Sequence, residues 1–237
     1  MKKIVMLFAA IILIFSSIGT VSADYGSSHL GETNDVISCS EYDGDIRYEY
    51  DENGNPIKKI VSIKDTEKYA ESQGFTLPSP DAEIELIFPI NTIINDNQAY
   101  ETTSSISPLA GNDFYIKKVS GPTKACGSNV IRRSIYSAPG GTMTVSEGIS
   151  ASFSASVNIS AAVVSAGVNF SVTSSFNVSD SQTVSIPSGK SSAEVTARPI
   201  LDVYSFEIWE KDLFFDDYVG NGSAYKPVGV CFQVVYY

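Results

Sequence analysis

Apolar and small polar residues alternate over one long stretch in the second half of the chain. From Met143 to Ala161, nine of the ten odd-numbered positions are apolar, and every even-numbered position is Thr, Ser, Gly or Asn. From Val164 to Val178 the apolar residues lie instead at even-numbered positions, apart from Ser174. Successive side chains of a strand point to opposite faces, so each half predicts a strand with one apolar and one hydroxyl-lined face.

The change from odd to even positions predicts that residues 142–179 form one long antiparallel hairpin. Two paired strands share an apolar face only when the register matches these positions. Pairing residues whose numbers add to 325 places Val157 opposite Val168 and Phe153 opposite Val172, whereas a sum of 329 is nearly as suitable. The register therefore stays open, and the tip is expected within 161–167.

The predicted hairpin has almost no charge. Between Arg133 and Lys190 the only charged residues are Glu147 and Asp180, near its base. A membrane-crossing strand needs about 9–11 residues, one apolar face and no charge at bilayer depth. A soluble β-sandwich also alternates, but its outer faces usually carry charges that prevent edge pairing. The candidate membrane-inserting residues are Ile149, Phe153, Val157, Ile159, Val164, Val168, Phe170 and Val172.

The remaining pattern predicts a mainly β fold, an elongated antiparallel sheet or sandwich preceded by a small α+β unit. In region 24–90, two strands flank the turn "DENGNP", a helix begins after Asp65 and ends at Gly74, and "DAEIELIF" alternates as a strand. Residues 91–112 are rich in Asn, Ser and Thr, as is typical of a linker. Residues 113–237 predict only strands, because no helical period follows Gly74.

The first residues have the features of a signal peptide. Lys2 and Lys3 precede a short apolar run, and small residues at Val21–Ala23 suit cleavage, so we expect residues 1–23 to be removed and the protein to be secreted into the extracellular space. The alternative is a retained N-terminal anchor. Without Lys2 and Lys3 the chain has 14 basic and 27 acidic residues, a net charge of −13. Such an acidic protein is not expected to bind nucleic acid.

Three cysteines allow one disulfide in an exported chain. We favour Cys126 with Cys231, since both flank strands of the C-terminal part; the alternatives are that Cys39 takes part or that all three stay reduced.

No combination of residues predicts catalysis. His29, the only histidine, lies in a polar leader, so we expect no enzyme, cofactor or metal site. Aromatic residues near acidic ones form a candidate binding loop for sugars or lipid headgroups; a weak cation site and a plain solvated loop are the alternatives. The loop residues are Trp209, Phe214, Phe215 and Tyr218.

The Ser/Thr-rich hairpin, followed by "QTVSIPSGKSSAEVTARPILDVYSFEI", resembles the pore-forming module of aerolysin-type β-pore-forming toxins over roughly residues 110–237. The resemblance implies a homo-oligomer that inserts residues 143–178 into a membrane, with 161–167 as the tip, and partners such as membrane lipid or a cell-surface receptor. Exported proteins of Gram-positive bacteria also share this pattern. The alternative function is that of a secreted, non-enzymatic β-sandwich protein that acts as a binding or surface protein without lytic activity.

Overall fold

The computed structural model describes residues 37–38, 43–90, 114–212 and 214–237. Within these residues the chain is mainly β, which confirms the predicted fold class, and its long strands lie in one large antiparallel sheet. The predicted signal peptide 1–23, the linker 91–112 and Cys39 lie outside the described residues.

The strands are numbered in chain order, and their bounds are β1 Ile37–Ser38, β2 Gly44–Tyr50, β3 Pro56–Ile63, β4 Glu83–Pro89, β5 Phe114–Cys126, β6 Arg132–Ser137, β7 Gly140–Ser150, β8 Ser152–Ala155, β9 Ser175–Ser185, β10 Ser192–Glu210 and β11 Asp217–Tyr236. The two helices among the described residues are α1 Thr66–Ser72 and α2 Ala161–Val168.

Two sheets make up the fold. In the larger one the strand order is β1-β5-β10-β11-β4-β3-β2, with β6 also paired to β10 and β8 to β11. The smaller sheet is the antiparallel pair β7–β9. Because β4 pairs with β11, the strands of region 24–90 belong to the same sheet as those of the C-terminal part. The long β10–β11 pair is the centre of this sheet, since strands join it on both sides.

The predicted elements of region 24–90 are confirmed, and local chemistry explains their ends. In the turn after β2, Asp51 Oδ1 accepts the backbone N–H groups of Asn53 at 2.9 Å and Asn55 at 2.8 Å. Asp65 Oδ1 accepts the Lys68 N–H at 3.0 Å and caps α1. Beyond α1, Gly74 has φ +68°, a left-handed conformation that glycine adopts without strain.

Helix α1 covers one face of the large sheet. Its buried Tyr69 donates a hydrogen bond to Gln233 Oε1 at 3.0 Å, which ties the helix to β11. Burial raises the pKa of Tyr69 to about 12, so this hydroxyl stays protonated at neutral pH. Around it lies a buried apolar cluster that includes Val61, Leu86 and Ile200.

The small sheet covers a second buried cluster of the large sheet, separate from the cluster around α1. Met143 and Val145 of β7, with Val178 and Val184 of β9, are buried in one cluster with residues of β10 and β11. The β10 and β11 members of this cluster are Ala193, Val195, Ala197, Val230, Phe232, Val234 and Tyr236. The β7–β9 pair therefore packs its apolar face onto the large sheet.

Cys126 and Cys231 form a disulfide, which confirms the favoured pairing. The bond links the end of β5 to β11 across β10, with the Cα atoms 6.6 Å apart. It closes a segment with a sequence separation of 105. A closure of this length removes much conformational freedom from the unfolded chain.

Replacing both cysteines, as Cys126→Ala with Cys231→Ala, is expected to lower the free energy of unfolding by about 2–5 kcal/mol, because the unfolded chain regains that freedom. Chemical denaturation measured by tryptophan fluorescence tests this, with Cys39→Ser as the control that should leave the midpoint unchanged. An unchanged midpoint for the double variant would contradict the structural role of the bond.

Candidate functional site

The lower half of the predicted hairpin is present as the β7–β9 ladder. From Gly140 opposite Ser185 to Ser150 opposite Ser175, the two residue numbers of every pair add to 325. The first of the two registers considered for the sequence is therefore confirmed for this part. Its polar face carries hydroxyl pairs that bond across the strands, Thr142 with Thr183 at 3.0 Å and Thr144 with Ser181 at 3.1 Å.

The upper half of the predicted hairpin is not a hairpin. After Ser150 the chain leaves the ladder, and β8 pairs with residues 222–225 of β11 instead. The expected tip is the helix α2, so the prediction of a turn within 161–167 is wrong, as is the expectation of no helix after Gly74. The physical reason is burial, because residues 151–174, here named the switch segment, pack their apolar side chains on the large sheet.

Seven of the eight candidate inserting residues belong to the switch segment and lie together on the large sheet. They are Phe153, Val157, Ile159, Val164, Val168, Phe170 and Val172, in one apolar cluster with residues of β5, β10 and β11. The eighth, Ile149, packs at the edge of the other cluster, under β7. Phe170 also lies beneath the Lys226 ammonium, which is 5.8 Å from its ring centroid. In water these contacts hold the segment on the sheet.

Helix α2 has little intrinsic stability. It is one eight-residue element with the sequence "AAVVSAGV", without a charged residue to favour its dipole. Valine and glycine are poor helix formers, and isolated helices shorter than about 12 residues are marginal in water. Ser160 caps its first turn weakly, with its Oγ 3.4 Å from the Val163 nitrogen. Tertiary packing rather than local preference therefore holds α2 in place.

Two glycines allow the switch segment to approach the sheet. A Cβ at Gly167 of α2 would lie 2.1 Å from the Ile116 side chain. A Cβ at Gly222 of β11 would lie 2.3 Å from the Phe206 ring and 2.8 Å from the carbonyl oxygen of Ser154 in β8. The sequence analysis did not single out Gly222, although a glycine inside a strand is a recognised signal of close backbone approach.

Asp180 is an unfavourable charge beneath the β7–β9 ladder. Its Oδ1 accepts the Ser181 N–H at 2.7 Å, but its buried Oδ2 has no hydrogen-bond partner among the described residues. Burial raises its pKa, and neither the Ser181 hydrogen bond nor the Lys58 charge offsets that effect. An ionised carboxylate here destabilises the packing of the β7–β9 ladder on the large sheet at neutral pH.

The predicted binding loop lies at the far end of β10 and β11. Trp209 and Tyr218 face each other across the two strands, with ring centroids 5.9 Å apart. The Lys117 ammonium lies 4.5 Å from the Trp209 ring centroid and 3.1 Å from Asp216 Oδ2. The Tyr115 hydroxyl donates to the same carboxylate, and this bond, with Lys117, lowers the pKa of Asp216. The loop base is thus a fixed aromatic and ionic cluster.

The tip of this loop is strongly apolar. Phe214 and Phe215 are 85% and 82% exposed, the highest values among the large apolar residues described. The loop is close to the switch segment, because α2 contacts Ile116 of β5, and Ile116 pairs with Ile208, next to Trp209. The structure therefore places all four predicted loop residues and seven of the eight inserting residues at the same end of the large sheet.

Among the described residues, no group of three or more His, Cys, Asp or Glu side chains is arranged to hold a metal ion. None of the helices in the described part of the chain is long and apolar enough to cross a membrane.

No model of a known protein family matches the sequence, and no curated protein sequence matches it either.

The Asp180→Asn variant is expected to raise the free energy of unfolding by about 1–2 kcal/mol at neutral pH, because it removes a poorly solvated charge. The folded state binds the proton of Asp180 more tightly than the unfolded state does, so wild-type stability increases as the pH falls through the raised pKa. The difference between variant and wild type should therefore shrink towards the ordinary pKa of 3.8. Thermal unfolding from pH 3.5 to 7.5 measures this.

Asp217→Asn is the matched control, because Asp217 is exposed on the loop and should give the wild-type curve. A destabilised Asp180→Asn protein at every pH would contradict the assignment.

Proposed function

We propose that this protein is secreted, associates with copies of itself and permeabilises membranes by releasing the switch segment 151–174. In this proposal the segment leaves the large sheet and continues the β7–β9 ladder as one long hairpin. The observation that carries the proposal is the register. The ladder present at rest already has the residue sum of 325, which is one of the two registers that suit the alternating pattern of the switch segment.

Extending the ladder in this register separates the two kinds of side chain along both arms, apart from Ser174, which lies opposite Ala151 on the apolar face. One face of the extension receives apolar pairs such as Phe153 with Val172 and Val157 with Val168. The other face receives polar pairs such as Ser154 with Ser171 and Ser156 with Asn169. No charged residue occurs in 148–179, and each arm is longer than the about 9–11 residues that cross a bilayer.

The energy balance favours the resting fold in water and the hairpin in lipid. Exposing a buried Val, Ile or Phe side chain to water costs about 1.5–3 kcal/mol, so release in solution is unfavourable. In a bilayer these side chains exchange protein contacts for lipid contacts. The weak helix α2 and the charge of Asp180 lower the stability that must be overcome. Valine also prefers strands, so the local preference of this valine-rich segment supports the extended form.

The aromatic loop supports a membrane as the target. Phe214 and Phe215 are exposed side chains of the kind that enter the interfacial layer of a bilayer, and Trp209 and Tyr218 behind them suit its polar boundary. Asp216 and Asp217 disfavour a strongly anionic surface. The preferred lipid is therefore zwitterionic.

A second candidate function is that of a secreted binding protein without lytic activity. The same loop by itself favours it, since an exposed aromatic pair also suits a receptor or a sugar.

An engineered disulfide between β8 and β11 should block permeabilisation. Ser154 and Ser223 are paired in the resting structure, so Ser154→Cys with Ser223→Cys holds the switch segment on the sheet. Dye release from phosphatidylcholine vesicles should fall by more than about tenfold, equivalent to at least 1.4 kcal/mol against release, and should return on reduction.

The matched control joins β5 to β10 with Ser120→Cys and Ser205→Cys, which are also paired but leave the segment free. Leakage from the β8–β11 variant equal to that of the control would contradict the release of the segment. Absence of leakage from the wild-type protein on every lipid mixture would leave the non-lytic binding function.

The Phe214→Ser, Phe215→Ser double variant is expected to bind phosphatidylcholine vesicles about tenfold or more weakly, because two exposed aromatic side chains no longer enter the interface. Vesicle co-sedimentation measures the binding. Ile57→Ser, which removes a 42% exposed apolar side chain elsewhere, is the control and should bind like the wild type. Equal binding by all three proteins would exclude the loop as the membrane contact.

A further inference from the structure

Two edge strands of the large sheet, β2 and β6, expose apolar side chains. Ile46 and Tyr48 on β2 are 54% and 46% exposed, and Ile135 on β6 is 61% exposed. Among the described residues, β2 pairs only with β3 and β6 only with β10, so each strand has one unpaired backbone edge. An unpaired edge with apolar side chains is a template for another strand.

The charges on the two edges are of opposite sign. Residues 43–52, which contain β2, have five carboxylates and one arginine, and that arginine, Arg47, is bound to Glu85 at 2.9 Å. Strand β6 carries Arg132 and Arg133 and no carboxylate. Both arginines remain exposed, although Arg132 donates to the Thr144 carbonyl oxygen at 3.0 Å and Arg133 lies 3.4 Å from Glu194.

This charge distribution selects between the possible pairings. Two β2 edges would place carboxylates against carboxylates, and two β6 edges would place arginines against arginines; like charges directly opposite destabilise a strand pair. A β2 edge against a β6 edge joins opposite charges. The favoured partner for either edge is therefore the other edge of a second copy of this chain.

The geometry of the sheet permits this pairing. One row of paired residues runs across six strands from β6 to β2, namely Ser134, Val195, Val234, Glu85, Ser62 and Asp45. Both edges therefore lie at the same level of the sheet. All neighbours in this row are antiparallel, so five successive reversals leave β6 and β2 running in opposite directions. A second copy placed alongside in the same orientation would continue the sheet with another antiparallel pair.

We propose that copies of this protein associate head to tail, with β6 of one copy paired to β2 of the next. A shift of two residues from the common level, about 7 Å, keeps every side chain on its face. It places Ile135 opposite Ile46, Arg133 opposite Tyr48 and Arg132 opposite Glu49. These are an apolar pair, a cation–π pair and an ion pair, and Glu49 has no ion-pair partner among the described residues.

The contact is heterologous, because two different surfaces meet. Each added copy leaves one β2 edge and one β6 edge free at the ends of the assembly, so association continues into a ring where the rotation between copies closes and into a filament where it does not. The biological role of this contact rests on the proposed function, for which it supplies the surface of self-association. The contact itself can be measured with or without a membrane.

Cysteine cross-linking tests the contact directly. In the otherwise complete chain with Cys39→Ser, one protein carries Ile46→Cys and a second carries Ile135→Cys. Mild oxidation of their mixture, in solution and on phosphatidylcholine vesicles, should give a disulfide-linked dimer that neither protein forms alone. The control mixture pairs Ile135→Cys with Phe215→Cys, a more exposed position on the distant loop. Equal yields from the two mixtures under both conditions would overturn the proposal.

A charge exchange tests the register. Adding Arg132→Glu to the Ile135→Cys protein should lower the dimer yield by about threefold to tenfold, because it creates a like-charge pair with Glu49. Adding Glu49→Arg to the Ile46→Cys protein should then restore the yield. Failure of this rescue would overturn the proposed register.

The two experiments distinguish a failure of the proposed β2–β6 contact from a failure of the proposed function. Dye release without the specific cross-link would overturn the β2–β6 contact and leave membrane permeabilisation in place. A specific cross-link without dye release would support the contact and count against permeabilisation.

Discussion

The packing of the switch segment against β5, β10 and β11 is the interaction on which the rest of the site depends. It buries Ile159, Val164 and Val168 in one cluster with Ile116 and Ile208. Among the described residues, the backbone hydrogen bonds of the segment to β11 are confined to β8 and the adjacent Ser156. Apolar packing of this kind is non-directional and proportional to the area removed from water. The same side chains can therefore be satisfied by a different apolar environment, which is the physical basis of the proposed release.

Local preference and tertiary packing disagree in this segment. Ordinary folds are stable because the two agree, and disagreement is expected at functional sites. Here "AAVVSAGV" is helical although its valines favour strands, and the adjacent ladder ends in the register that would extend it. Asp180 adds an uncompensated carboxylate below that ladder. By contrast, the β10–β11 pair, the disulfide and α1 are elements in which the sequence pattern and the structure agree.

The two ends and the two edges of the large sheet have different chemistry. Phe214 and Phe215 lie at the end that also carries the switch segment, whereas the lateral edges β2 and β6 carry opposite charges. Lateral association would orient neighbouring copies alike, so that their aromatic loops point the same way. Binding to a flat surface, association and release of the segment are thereby compatible in one arrangement of copies.

The sequence by itself determined the mainly β fold, the turn at Asp51 and the cap at Asp65, and it reduced the register of β7 with β9 to two choices, because turns, caps and strand faces depend on neighbouring residues. It also indicated the Cys126–Cys231 pair, without excluding the alternatives. Only the tertiary structure decided that 161–167 is a helix, that Gly167 and Gly222 are contact points and that one carboxylate oxygen of Asp180 is buried. A period of two describes which side chains share a face. It does not determine whether that face packs against the partner strand of its own hairpin, another sheet or lipid, since the hydrophobic effect is non-directional.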